Sequence, residues 1–194
     1  ELLHSAFGTA GQIHDMDGDG DLDIVKNTTL YSVAPWNSRG VLVLFNDGEG
    51  HFSNWQNLVP NASPYMFEVA DFNGDGLLDL YVVDDGSDKL LTATEHVADT
   101  QLGFVTVNLG FPSSNGFGGN VHAADLDLDG DLDVVVSDVD VDIPPCNSGR
   151  RMAIYENVDG MLSDPYGTTT FDWVTNSYDV ALLDINNDGL VDIL

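Results

Sequence analysis

Short apolar runs alternate with acidic, glycine-containing segments along the whole chain. Four of these runs, LDIV, LDLYVV, LDVVV and VDIL, are rich in branched aliphatic residues, and each overlaps the end of an aspartate-rich segment. Runs such as FEVA and VHAA precede two of the same segments. Short apolar runs bounded by Gly and Asp are typical of β-strands, and two such runs around a tight loop form a hairpin. The pattern therefore predicts an all-β chain built from repeated hairpins.

The acidic segments are copies of one nine-residue motif, D-x-[DN]-x-D-G-x-x-D. They lie at residues 15–23, 71–79, 125–133 and 184–192, and we call them loops one to four. Successive motifs begin 56, 54 and 59 residues apart. This period is close to that of a four-stranded β-propeller blade and longer than that of most helical repeats. The repeat therefore predicts a β-propeller architecture.

At this period the chain divides into three blades of four antiparallel strands and about half of a fourth. The predicted blades cover residues 11–60, 65–110 and 119–165, and a partial blade covers 177–194. The predicted strands are one ending at 15, 22–27, 41–46 and one starting at 51; then 65–70, 78–83, 90–97 and 103–108; then 119–124, 132–137, 151–157 and one near 161; and finally 178–183 and the start of another. Because propellers close with roughly four to eight blades, we expect this single repeat region, residues 1–194, to be a segment of a larger propeller or assembly.

Charge composition narrows the choice of partners. Five Lys and Arg residues stand against 33 Asp and Glu, which gives a formal net charge of −28. Phosphate backbones and anionic membrane surfaces are poor partners for such a chain, so nucleic acid binding is not expected. The sequence contains no run of 18 apolar residues, so membrane insertion is not predicted. The single cysteine, Cys146, excludes an internal disulfide and a cysteine-based metal site. Small cations are the counter-charge that this composition favours.

The spacing within the motif fits a calcium loop. Two carboxylates about 4 Å apart repel by roughly 1 kcal/mol in water and by roughly 4 kcal/mol at an effective dielectric near 20, so a folded loop of this kind needs a cation. Calcium accepts six to eight oxygen ligands in a tolerant geometry, whereas magnesium requires a tighter octahedron. Side chains at positions 1, 3, 5 and 9 would face the ion, Gly at position 6 would permit the sharp turn, and position 7 would offer its backbone carbonyl.

The sequence thus predicts up to four Ca²⁺ ions. The predicted side-chain ligands are Asp15, Asp17, Asp19 and Asp23; Asp71, Asn73, Asp75 and Asp79; Asp125, Asp127, Asp129 and Asp133; and Asp184, Asn186, Asp188 and Asp192. The predicted carbonyl ligands are Asp21, Leu77, Asp131 and Leu190. An EF-hand would need Glu at position 12 and flanking helices, but position 12 is Lys26, Val82 and Val136 in the first three loops. Solvated turn aspartates remain the alternative, although turns do not require Asp and Gly in one register four times.

Further features resemble the FG-GAP or VCBS repeats of integrin alpha-subunit propellers and of many secreted bacterial proteins. AFGTAGQIHD and GFGGNVHAAD place a Phe-Gly pair eight residues before loops one and three, at Phe7 and Phe117. LFNDGEGHFS and IYENVDGMLS resemble the hairpin between the third and fourth strands of such repeats. Blades two and four have Ser-Pro and Asn-Ser in place of the pair. The resemblance implies a calcium-bearing propeller, expected to be extracellular or at the cell surface. Propellers of this family serve as adhesion modules, enzyme scaffolds and accessory domains.

In propellers of that family the loops opposite the calcium loops bind partners. Here the loop between the second and third strands is long in blade one, NTTLYSVAPWNSRG, and in blade three, DVDVDIPPCNSGRR. Loops longer than the scaffold requires often carry function. We therefore predict a contact surface for an acidic extracellular protein or a glycan, formed by Tyr31, Trp36, Arg39, Arg150 and Arg151. The alternative is that the arginines pair with local aspartates and that the aromatic side chains pack beneath the loops.

No catalytic constellation is predicted, because the five histidines are scattered, and His14 and His122 are predicted strand residues. The predicted function is therefore that of a secreted, non-catalytic calcium-binding module with a structural or adhesive role. One alternative is a subunit of a filament or oligomer, because exposed strand edges invite pairing with another copy. A second is part of a propeller-type polysaccharide lyase or another carbohydrate-active enzyme. The sequence NTT at Asn27 also matches an N-glycosylation acceptor.

Overall fold

The computed structural model describes residues 8–28, 39–84, 86–98, 101–110, 115–116, 119–137, 152–166 and 179–194. Sixteen β-strands and no α-helix lie in these residues, so none of them forms a helix able to cross a bilayer. The strands are β1 (Gly11–His14), β2 (Asp23–Thr28), β3 (Gly40–Phe45), β4 (Asn54–Asn57), β5 (Pro64–Ala70), β6 (Asp79–Asp84), β7 (Gly86–Ser87), β8 (Lys89–Ala98), β9 (Gln101–Asn108), β10 (Asn115–Gly116), β11 (Val121–Ala124), β12 (Asp133–Ser137), β13 (Met152–Val158), β14 (Met161–Ser163), β15 (Leu182–Leu183) and β16 (Asp192–Ile193).

Three four-stranded antiparallel sheets form the blades. Blade one has the order β1-β2-β3-β4, blade two β5-β6-β8-β9 and blade three β11-β12-β13-β14. A fourth unit consists of the pair β15 and β16. Every acidic loop joins the first and second strands of its blade, and its position 9 is the first residue of the second strand. The predicted all-β propeller architecture, with blades of four antiparallel strands, is confirmed.

Most strands begin within two residues of their predicted starts, but the fourth strand of blade one does not. It begins at Asn54, whereas the sequence predicted His51. The Asp47 carboxylate accepts the N–H of His51 at 3.1 Å, and the Asp47 N–H donates to the His51 carbonyl at 3.2 Å. Residues 47–51 therefore close a turn before the strand starts. The short pair of β7 and β10 was not predicted either, and the first strand of the fourth unit is described only at Leu182–Leu183.

Alternate side chains of each sheet pack against the blades on either side. In β6, Leu80 and Val82 join the core shared with blade one. Tyr81 and Val83, between and after them, join the core shared with blade three. Strand β12 repeats this alternation between blade two and the fourth unit. Because both faces are buried, the central strands read as continuous apolar runs, and this is why LDLYVV and LDVVV have no polar face.

Candidate metal centre

Each acidic loop curls around the carboxylate at position 1. In loop one, Asp15 Oδ1 accepts the N–H of Gly18 at 2.8 Å and Oδ2 accepts that of Gly20 at 3.1 Å. In loops two, three and four the glycine at position 6 makes the same bond at 2.8, 3.1 and 2.9 Å. The φ angles of the four position-6 glycines are 97°, 87°, 103° and 89°. Other residues adopt this left-handed backbone only with strain, so the glycine of the motif is required by the turn itself.

Positions 3 and 5 extend the turn by the same kind of local bond. The side-chain oxygen at position 3 accepts the N–H of position 5 at 3.3, 3.0, 3.2 and 2.8 Å in loops one to four. The carboxylate at position 5 accepts the N–H of position 7 at 2.8, 2.8, 3.0 and 2.9 Å. Asp and Asn are the residues suited to bonds with the backbone two positions onward. Each oxygen keeps a further lone pair, so the turn places several acceptors beside one another.

The aspartate at position 9 anchors the loop to the third strand of its blade or, in blade one, to the residue that follows that strand. Asp23 Oδ2 accepts the N–H of Met16, and Oδ1 accepts that of Asn46, both at 2.9 Å. Asp79 and Asp133 make the corresponding two bonds at 2.7 to 2.9 Å. All three side chains are buried. Burial raises their pKa values, while the backbone donors lower them. The sequence predicted only a ligand at position 9, and the structure adds this anchoring role.

Two loops bring three carboxylates close enough to bind one ion. In each group, single oxygens of the three side chains lie within 4.8 Å of one another. The groups are Asp15, Asp17 and Asp19 in loop one, and Asp125, Asp127 and Asp133 in loop three. Among the described residues, loops two and four hold no such group of three acidic side chains.

In both groups one buried carboxylate oxygen has no hydrogen-bond donor among the described residues. These oxygens are Asp17 Oδ2 and Asp125 Oδ1. Asp17 is 7% exposed; burial, and after it repulsion from Asp23 and Asp19, raises its pKa to about 6. A buried anionic oxygen without a donor is costly, and a bound cation removes that cost. A donor set made only of oxygens suits a hard ion that tolerates irregular geometry. The residues of loops one and three therefore fit Ca²⁺.

Loop two satisfies its oxygens differently. The Nδ2 of Asn73 donates to Asp75 Oδ2 at 3.1 Å, while Asn73 Oδ1 accepts the Asp75 N–H at 3.0 Å. Loop four also has Asn at position 3, and Asn186 Oδ1 accepts the N–H of Asp188 at 2.8 Å. An amide at position 3 thus removes one charge and, in loop two, supplies a donor to the neighbouring carboxylate.

Two overlapping stretches of the chain match one family of repeats. The FG-GAP-like repeat family model matches residues 15–82 and 71–136. The chain belongs to the FG-GAP-like repeat family. Each matched FG-GAP-like repeat begins at the first aspartate of a loop and ends in the second strand of the next blade. The sequence repeat therefore spans the junction between two blades.

Solved structures also align with the chain. One is the crystal structure of BBS1N in complex with ARL6DN, soaked with lead, which shares 14% sequence identity with a TM-score of 0.36. The alignment covers 83% of this chain and 54% of that one, so the FG-GAP-like chain spans about half of its length. No curated protein sequence matches the chain.

At position 7, where the sequence predicted carbonyl ligands, two side chains point to the hairpin between the third and fourth strands. Asp131 Oδ2 accepts the N–H of Asp159 at 2.7 Å. Asp21 Oδ2 lies 2.6 Å from the place that a Cβ on Gly48 would occupy. In this FG-GAP-like chain the position-7 carboxylate of loop three therefore holds the adjacent hairpin, and that of loop one lies against it. The carbonyl ligands themselves stay a prediction.

Of the five residues predicted to bind a partner, Arg39 alone belongs to the described residues. Its Nη1 donates to the hydroxyl of Ser63 at 3.0 Å. Both residues immediately precede a strand at the end of the blades opposite the acidic loops, before β3 and β5. The remaining four, Tyr31, Trp36, Arg150 and Arg151, lie outside the described residues.

The predicted glycosylation acceptor is wrong for the folded FG-GAP-like chain. Asn27 is fully buried in β2. Its Nδ2 donates to the carbonyls of Pro64 and Tyr65 at 2.9 and 2.6 Å, and its Oδ1 accepts the N–H of Ala10 at 2.9 Å. The amide nitrogen that would carry a sugar instead joins blade one to blade two.

Polar side chains on the first strands of neighbouring blades also contact one another, and they were not among the predicted site residues. Gln12 Nε2 donates to Glu68 Oε2 at 3.2 Å, and His122 Nε2 lies 3.4 Å from Asp179 Oδ1. Burial raises the pKa of Glu68, while Gln12 and His122 lower it. Gln12, Glu68 and His122 all stand three residues before position 1 of their loops, and this shared offset was the signal available. The prediction that His14 and His122 are strand residues is confirmed by β1 and β11.

Proposed function

We propose that this FG-GAP-like chain is an extracellular calcium-binding propeller module with a structural or adhesive role, and that it is not an enzyme. The observation that carries the proposal is the buried Asp17 Oδ2, which has no donor among the described residues and stands beside two further carboxylates in loop one. The backbone bonds at positions 1, 3 and 5 place several oxygens beside one another before an ion binds, which lowers the cost of ordering the turn. Sites of this kind in extracellular modules work at calcium concentrations of about 0.1 to 1 mM.

Electrostatics of the whole chain support the same function. Four divalent ions would reduce the net charge of −28 by eight units at the places where carboxylates are most concentrated. The relief of repulsion stabilises the hairpin turns, and each turn is anchored to its blade by position 9. Calcium would therefore stabilise the scaffold.

Isothermal titration calorimetry with CaCl₂ and MgCl₂ tests the metal function. We expect up to four calcium ions to bind and magnesium to compete poorly, because its octahedron does not match the loops. D19A should lower the number of sites by one, whereas E95Q, which removes an exposed charge from β8, should leave the number unchanged. Absence of calcium binding would reject the proposal. Turnover of acidic or neutral polysaccharides would instead support the lyase alternative.

The partner is proposed to bind at the end opposite the acidic loops, where Arg39 lies. The triple variant R39A/R150A/R151A should weaken binding to an acidic protein or a glycan, measured on an array of acidic and neutral glycans. Its calcium affinity should stay within error of the parent. Loss of calcium binding in this variant would mean that the arginines serve the scaffold.

Assembly through the fourth unit is a second proposal, and one hydrogen bond favours it. In blades one to three, position 9 receives donors from both its loop and a third strand. In the fourth unit, the donor to Asp192 among the described residues is the N–H of Ile185, at 3.1 Å. A strand from another copy or from the rest of a longer propeller would supply the second donor. Native mass spectrometry tests this, and a monodisperse, cooperatively melting monomer of the 194-residue chain would argue against it.

A further inference from the structure

We propose that the metal sites of loops two and three are coupled through the hairpin between β13 and β14, and that Asn157 is the positioning residue for loop two. The inference rests on the calcium function proposed above and adds a contact that links two of the metal sites. We call residues 157–160 the junction hairpin.

The junction hairpin is fastened to loop three within its own blade. The backbone N–H of Asn157 donates to Asp133 Oδ1 at 2.9 Å, and its side-chain Nδ2 donates to the Leu132 carbonyl at 3.1 Å. The N–H of Asp159 donates to Asp131 Oδ2 at 2.7 Å. Positions 7, 8 and 9 of loop three therefore each hold one group of the hairpin.

The same hairpin also contacts loop two in the neighbouring blade. Asn157 Nδ2 donates to the carbonyl of Phe72 at 2.7 Å. A Cβ on Gly160 would stand 2.7 Å from the Cβ of Asn73, so the glycine backbone lies directly against that residue. Phe72 is itself buried, at position 2 of loop two. The hairpin thus contacts loop two at positions 2 and 3, and position 3 is a predicted ligand.

Blade one also places an asparagine at this point, but its side chain bonds within its own blade. Asn46 occupies the same place, and its Nδ2 donates to the Leu22 carbonyl at 3.2 Å. Its Oδ1 accepts the N–H groups of Gly48 and Gly50 at 3.2 and 3.0 Å, within its own hairpin. Asn157 Oδ1, by contrast, is buried with no partner among the described residues. The amide nitrogen, which bridges two loops, is therefore what Asn157 contributes.

In blade two, the described residue at the place of Asn157 cannot form this bridge to loop one. The residue in the corresponding place is Ala93, whose N–H donates to Asp79 Oδ1 at 2.7 Å. Its methyl side chain cannot donate to the carbonyl of loop one. The coupling is therefore expected between loops two and three, and not through this position between loops one and two.

The coupling follows from shared ordering. An ion in loop three would hold positions 7 and 9, Asp131 and Asp133, which in turn hold the junction hairpin. A hairpin already held by loop three leaves less of loop two to be ordered when its ion binds. Binding at one loop then strengthens binding at the other, and the effect is reciprocal.

The test uses the full chain carrying D19A and D188A, which disable loops one and four and leave two calcium sites. Calorimetry at about 0.15 M salt, where the screening length is about 8 Å, measures the calcium affinity of loop two. Adding D129A disables loop three and should weaken loop two about 5-fold or more. With N157A or G160A present, the further addition of D129A should change the loop-two affinity less than 2-fold.

Two matched variants separate the bridge from local damage. N46A loses the equivalent bond within a blade. G50A places alanine at a φ of 82°, close to the 79° of Gly160, but at Gly50 no atom lies within 4 Å of the place that the added Cβ would occupy. Neither should alter the coupling. Calcium binding with a loop-two affinity that D129A does not change would overturn this inference alone, and so would equal effects of N157A and N46A. Absence of calcium binding in the unmodified chain would overturn the proposed function instead. The D129A comparison does not depend on N157A folding.

Discussion

All four acidic loops form the same backbone turn. Loops one and three differ from loops two and four in the carboxylate oxygens that the turn leaves without a hydrogen-bond donor. The bonds from position 6 to position 1, from 5 to 3 and from 7 to 5 recur in all four loops. Loops one and three nevertheless each contain a buried carboxylate oxygen to which no described residue donates, Asp17 Oδ2 and Asp125 Oδ1. In loop two the amide of Asn73 donates to Asp75. The turn therefore depends on Asp, Asn and Gly in register, whereas the demand for a cation depends on how many carboxylates converge.

The largest expected effect is the response of the whole chain to removal of calcium. At tenfold excess of calcium over its dissociation constant each site contributes about 1.4 kcal/mol, so EGTA should lower the free energy of unfolding by roughly 5 to 6 kcal/mol for four sites. Thermal melting in calcium, magnesium and EGTA measures this. D19A should lose more of the calcium-dependent stability than D75A if loop one requires the ion more than loop two. An EGTA melting curve identical to that in calcium would remove the basis of the comparison.

The bonds of the position-9 aspartate occur in both kinds of loop. Their loss should therefore destabilise the chain by a similar amount in loop one and in loop two. D23N and D79N each turn an amide nitrogen toward a backbone N–H that the carboxylate accepts. Each variant should lose about 1 to 3 kcal/mol of stability by urea unfolding, and the loss should persist in EGTA. D21N, at the neighbouring position 7, is the control and should lose less. A loss seen only in calcium would mean that position 9 acts mainly as a ligand.

A buried carboxyl outside the loops shows what burial does when donors are present. Asp88 accepts the hydroxyl of Tyr81 at 2.8 Å and the N–H of Asp84 at 3.2 Å. Burial raises its pKa to about 7, with Tyr81, the Asp84 backbone and Lys89 lowering it and the Asp84 charge raising it.

The folded chain holds the Asp88 proton more tightly than the unfolded chain, so this contribution to stability is complete below pH 4 and is lost as the pH rises through about 7. The slope should approach about 1.4 kcal/mol per pH unit between those values. D88N should flatten it, and the difference between D88N and the parent at each pH, both in excess calcium, cancels the response of the loops. Parallel stability curves for the two proteins would contradict this assignment.

The smallest expected effect comes from exchanging the residues at position 3. D17N should give loop one the character of loop two, weaken calcium binding there about tenfold, which is about 1.4 kcal/mol, and stabilise the chain in EGTA by relieving repulsion. N73D should have the opposite effects in loop two. Calorimetry and melting on both variants measure the exchange. Equal calcium affinities of parent and variants would show that the count of carboxylates does not rank the loops.

Local features were predictable because they depend on residues close in sequence. The glycine at position 6 and the oxygen acceptors at positions 1, 3 and 5 all interact within a few residues, so the motif alone predicted the four turns and the strands on both sides. The short apolar runs predicted strands, as β6 and β12 are, whereas the burial of both their faces came from the structure. Strand starts differed by up to three residues where a side chain closed a turn, as Asp47 does before β4.

The pattern of aspartate, glycine and apolar residues by itself determined that this chain forms blades with acidic hairpin loops, because left-handed turns and strand pairing over short loops are decided by local backbone preferences. Only the tertiary structure decided that Asn27 is buried against blade two, that Asn157 reaches loop two, and that Gln12 meets Glu68. These bonds join residues 37, 85 and 56 positions apart. No local preference encodes such pairs, since they form only when the packing of apolar faces between blades brings the polar edges of those blades together.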